Sequence, residues 1–148
     1  MILVIFNRFS EKKCRRNCNF TSHHPTMKSL IDQKVHRIAE HCIACWNACT
    51  LEQMQPYLKE DVLVRSPNIP VIYPEQVSGF IQGREMVITY WYQLIKLSGP
   101  MKLSIDSLQR EGDTIHLLLK INDTEKFLAT TLRYNQYGKI IEFTFDYR

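Results

Sequence analysis

Cys42, Cys45 and Cys49 stand beside His41 and contain a CxxC, the residue types of a metal or redox centre. Their wider spacing argues otherwise. Ile31, Val35, Ile38, Cys42, Cys45 and Cys49 recur at steps of four, three, four, three and four. That is one apolar stripe along a helix, extended by the cysteines as small hydrophobes. All three thiols are therefore expected in the core. Cys14, Cys18, His23 and His24 form a second group, but their spacing matches no tight zinc motif, and no metal is expected. Five cysteines, an odd number without an export signal, point to a reducing compartment and a cytoplasmic location.

Acid–base chemistry offers few candidates. His116 falls in a period-two stretch whose same-face neighbours are Thr114, Leu118 and Lys120, a mostly polar set that places it towards solvent or a subunit interface. Glu142 and Asp146 share one face of a strand with Thr144, about 13 Å apart and too far for a retaining carboxylate pair. Ser66 has no nucleophile-elbow motif around it. Tyr90 and Trp91, at helical spacing, read as core. No GxGxxG, Walker loop or HExxH occurs, and no cofactor is expected.

The elements that position these residues follow from length and pattern. The 148 residues suit one domain, and 45% hydrophobic with 23% charged residues excludes wholesale disorder. No apolar run approaches membrane-spanning length. Residues 1–26 carry Arg8, Lys12, Lys13, Arg15 and Arg16 against Glu11 alone, the whole of the +4 net charge. The remainder is neutral, which removes the electrostatic case for a nucleic-acid partner. Residues 1–26 are expected to be a weakly ordered basic tail, with Met27 an alternative start. Patterning predicts a helix from Met27 to Asn47. A Thr50–Gln53 capping box opens a second helix, interrupted by Pro56 and ending near Glu60. A strand over Val62–Arg65 precedes a long loop from Pro67 to Gly83, and a third helix stops at Gly99-Pro100. Period-two strands follow at 101–109, 114–121, 126–134 and 139–147, joined by hairpin-short turns. This is an α+β layout, helices first and an antiparallel meander after them.

Trp46-Asn47-Ala48-Cys49-Thr50, Lys59-Glu60-Asp61-Val62, Arg65-Ser66-Pro67, Gly83-Arg84-Glu85 and Arg133-Tyr134-Asn135 with Gly138-Lys139-Ile140 occur in that order. Together they resemble the nuclear transport factor 2-like superfamily, in its SnoaL-like and ketosteroid-isomerase-like branch, over about Met27 to Tyr147. The resemblance implies a cone-shaped, cystatin-like fold: three N-terminal helices packed on a strongly curved antiparallel meander, with a pocket at the wide end. It makes residues 27–148 a SnoaL-like domain and implies a homodimer through the outer face of the sheet.

It also implies where catalytic groups would stand. The isomerase general-base carboxylate falls on Ser66, the oxyanion tyrosine on Cys42 and the protonated aspartic acid on Thr130. All three are replaced. A serine without a neighbouring base cannot abstract a carbon-bound proton near neutral pH, and a thiol is a far weaker donor than a phenol. Ketosteroid isomerisation is not expected. Asp61 sits where the family often carries an aspartate, whose plain role is bonding nearby backbone. Two readings follow. One is a pocket protein binding a small, apolar, uncharged molecule among Cys42, Val64, Ser66, Leu128, Thr130 and Leu132. The other is a SnoaL-like isomerase, cyclase or hydrolase using His116 or Asp61 as its acid or base.

Overall fold

The computed structural model describes the backbone from Met27 to Arg148 and side chains from Gln33 onward. The expected tail, with Cys14, Cys18, His23 and His24, lies outside the described residues. Helix α1 (Met27–Asn47) buries Val35, Ala39, Cys42 and Cys45 along one stripe. Its end corrects the reading of the third cysteine. Thr50 N–H reaches back to Cys45 O at 2.9 Å, and Cys49 takes a left-handed conformation with φ 53°. The helix has ended two residues earlier, so Cys49 leaves the stripe and is exposed.

The expected capping box is also absent. Thr50 makes no side-chain capping bond, and the next segment is a 3₁₀ helix, Leu51–Tyr57, that buries Leu51 and Met54. Strand β1 then starts at Leu58 and runs to Arg65, four residues earlier than its β-branched stretch predicts. The long loop contains two short elements, α2 (Ile69–Ile72) and β2 (Phe80–Gln82). Helix α3 (Arg84–Ser98) follows, burying Val87, Ile88, Tyr90 and Trp91. The meander comprises β3 (Leu103–Glu111), β4 (Thr114–Ile121), β5 (Phe127–Tyr134) and β6 (Ile140–Tyr147). No helix among the described residues is long and apolar enough to cross a membrane.

The arrangement of three helices ahead of a purely antiparallel meander is therefore corrected. Only α1 and the 3₁₀ helix precede the first strand, and α3 follows β2. The six strands form one open sheet in the order β2-β1-β6-β5-β4-β3. β1 lies parallel to β6, with Val64 opposite Phe143, while every other pair is antiparallel. Register shifts at Ile105/Ser107, Arg133/Tyr134 and Leu58/Leu63 bend the sheet, as an extra residue on one strand does. The concave face receives the helices. Trp91 stands at its centre, edge-on to Phe143 with centroids 5.1 Å apart and to Phe145 at 6.4 Å. Asn47 fixes the end of α1 to β3 through two bonds of 2.8 Å with the Leu103 backbone.

Candidate functional site

The alternation of β1 sends Val62 and Val64 inward, and Ser66 continues that inward row just past the strand's end. Its N–H donates to Gly79 O at 3.0 Å, which holds the loop against it. Its Oγ accepts from the Tyr90 phenol at 3.0 Å and from the Asn68 N–H at 3.3 Å. Asn68 Nδ2 donates in turn to the Tyr147 hydroxyl at the end of β6, and the Ser66 hydroxyl also bonds with Tyr147. Tyr73 packs its ring beside Tyr90 at 6.3 Å. Three segments far apart in sequence, the Ser66–Asn68 turn, α3 and β6, thus bring a serine, an asparagine and two phenols into one buried cluster.

The sheet register places the remaining predicted residues on the same inner face. Leu128 lies opposite Tyr147, Thr130 opposite Phe145, and Leu132 opposite Phe143. Cys42, Val64, Ser66, Leu128, Thr130 and Leu132 are all buried. Four buried side-chain polar atoms, Asn68 Oδ1, Thr130 Oγ1 and the indole nitrogens of Trp46 and Trp91, have no hydrogen-bond partner among the described residues. Such groups are costly to bury, so they mark places where a partner would be accommodated.

The electrostatics are those of a neutral site. Burial pushes the Tyr147 phenol up to about 12 and raises Tyr90 further still. Burial likewise lifts the Cys42 thiol to about 12, reinforced by the neighbouring Cys45. Among the described residues the buried polar set is Ser66, Asn68 and Thr130, with no carboxylate, imidazole or ammonium. The cluster can donate and accept hydrogen bonds, but it holds no base that ionises near neutrality.

His116 and Asp61 stand elsewhere. His116 projects from the convex face of β4, with Nδ1 3.4 Å from Thr131 Oγ1 and Nε2 3.6 Å from Glu111 Oε2. Asp61 is exposed on β1, and a hydrogen bond from Lys59 holds its carboxyl below the usual range. Glu142 sits between Arg65 at 3.2 Å and Arg133 at 3.1 Å on the convex side, and Asp146 faces Arg148. None of these reaches the buried cluster. Asn68, Tyr147 and the phenol of Tyr90 are the site groups that sequence reasoning missed. Tyr147 was legible, because it continues the inward alternation of Phe143 and Phe145. Asn68, inside the turn and directly after Pro67, offers no periodic signal.

No family model and no curated protein sequence matches the chain. Solved structures do. A SnoaL-like protein of unknown function from Burkholderia thailandensis superposes with a TM-score of 0.67 at 16% identity, covering 84% of this chain and 99% of that one. A nuclear transport factor 2-like protein from Anabaena variabilis gives 0.65 at 12% identity, covering 86% and 96%. A third, of unknown function, from Burkholderia pseudomallei, gives 0.60 at 16% identity, covering 76% and 89%. With its open bent sheet, its parallel β1–β6 pair and the helices on the concave face, the chain has the nuclear transport factor 2-like fold.

Proposed function

We propose that this chain is a pocket protein of the SnoaL-like kind. Its ligand is a small, apolar, uncharged molecule with one hydroxyl or carbonyl, taken into the concave interior around Ser66, Asn68 and Thr130. One observation carries the reading: the interior presents unpartnered polar atoms, Asn68 Oδ1 and Thr130 Oγ1, within apolar walls and without a charged group. Burial would supply most of the affinity and one or two hydrogen bonds the orientation. Two copies are further proposed to pair through the convex face of the sheet.

The test uses a β,γ-unsaturated cyclic ketone. Binding followed by tryptophan fluorescence, from Trp91 and the neighbouring Trp46, with no double-bond migration, supports the reading. Ser66→Asp alone is expected to remain inactive, because the new carboxylate has no oxyanion partners at Cys42 and Thr130. Turnover by the unmodified protein overturns the neutral-pocket account and makes the chain an enzyme.

A further inference from the structure

A second concavity lies at the opposite end of the sheet from Ser66. It is a cleft of about 340 Å³ between the first half of α1, the end of the 3₁₀ helix and the β5–β6 turn. β1 and β6 run in parallel from this end towards the buried cluster, so the length of β6, from Ile140 to Tyr147, separates the cleft from the Tyr147 end of the cluster. Three cations border the cleft: Lys34, Arg37 and Lys139. Among the described residues no acidic side chain borders it, and Lys34 and Arg37 have no carboxylate partner. Glu40, nearby on the same helix, is instead engaged by His36 at 3.0 Å.

The rest of the lining is apolar and flat. Tyr57 is half-buried and set by its contact with the His41 ring, with centroids 4.9 Å apart. Across from it Tyr137 is 77% exposed, an unusual position for a large aromatic. Ile38 also lines the cleft. The geometry is held in place: Lys139 Nζ donates to Pro56 O, and Asn135 Oδ1 accepts from the N–H groups of Tyr137 and Lys139, both at 3.0 Å. Gly138 sits in the left-handed region with φ 76°, and Lys34 Nζ lies 3.6 Å from where a β-carbon there would stand. A β-carbon at position 138 would make only ordinary van der Waals contact with that ammonium, so it is the left-handed backbone that favours glycine there.

Three cations lining one cleft, with no carboxylate among the described lining residues, repel one another, and a bound anion relieves that repulsion. We infer that this cleft is a binding site for a small organic anion. A phosphate or carboxylate head meets Lys34, Arg37 and Lys139, and a flat apolar body lies between Tyr57 and Tyr137. The volume suits a small molecule.

The probe is phenyl phosphate, titrated calorimetrically into the full chain beside phenol and inorganic phosphate. Phenyl phosphate is expected to bind at least tenfold more tightly than either fragment, and more weakly as salt rises. Arg37→Gln and Lys34→Gln, at exposed positions that leave the core intact, are expected to lower that affinity at least tenfold each, with unchanged melting temperature. Tyr137→Ala should lower it for phenyl phosphate while sparing inorganic phosphate. Binding that survives both cation variants places the anion on another part of the chain and overturns the site. So does equal binding of phenol, or no binding at all. Binding of the uncharged ketone is expected to be indifferent to Arg37→Gln, so the two sites stand or fall separately.

Discussion

Tyr90 and Ser66 meet hydroxyl to hydroxyl at 3.0 Å, joining the middle of α3 to the end of β1 inside the protein. Ser66 Oγ accepts from the Asn68 backbone as well. Replacing Ser66 with alanine therefore strands two buried donors at once. The expected cost is about 1–3 kcal/mol, the penalty for leaving buried groups unpaired. Urea denaturation measures it, and a midpoint equal to that of the unmodified protein would contradict the network.

Thr130 gives the opposite expectation. Its hydroxyl is buried without a partner among the described residues. Thr130→Val keeps the shape and removes the stranded group, so the free protein should melt higher. The same change should weaken the uncharged ligand by about 0.5–1.5 kcal/mol, the net value of a neutral hydrogen bond. Lower stability together with unchanged ligand affinity would place the hydroxyl outside the site.

Alkaline pH should loosen the fold. Cys42, Tyr90 and Tyr147 all hold their protons more tightly in the folded chain than in the unfolded one, because burial disfavours their anions. Above pH 9.0, the ordinary thiol value, the native state binds more protons than the unfolded state, so stability falls as pH rises towards about 12. Below that window their contribution is fully present. Tyr147→Phe should flatten the decline. Denaturation midpoints that stay constant across this window would contradict it.

The convex face should bury a second copy. Leu118 lies opposite Ala129 there, with Phe127, Thr131 and Thr144 along the same surface, all half-buried. An arginine pair, Arg65 and Arg133, flanks Glu142 at its margin. Light scattering at micromolar concentration is expected to report a dimer, and Leu118→Glu a monomer. A clean monomer for the unmodified chain would remove the proposal.

Much of the fold was legible because it is local. β4 occupies 114–121 as its period-two pattern predicts, and α1 spans Met27–Asn47 as its patterning predicts. β1 was half hidden, since Lys59, Glu60 and Asp61 break the alternation where the strand passes through its irregular register with β6. Cys49 failed as core because a stripe counted in fours and threes carries no notice of where its helix stops. Val64, Ser66, Leu128, Thr130 and Leu132 were readable as one inward face from alternation and resemblance. The Asn68–Tyr147 contact was not: its partners stand 79 residues apart and no local period links them. Three-dimensional closure alone makes that bond.

That closure also dictates timing. β6 lies in the middle of the sheet, between β1 and β5, pairing Leu58 with Ile140 on one side and Leu128 with Tyr147 on the other. A chain emerging from the ribosome can form α1, α3 and the β3–β5 meander while β1 waits with an open edge. Only when residue 147 is clear can the central slot be filled. Contacts of such long sequence separation make folding slow, and the waiting edge is the place where a nascent chain is most exposed to pairing with a neighbour.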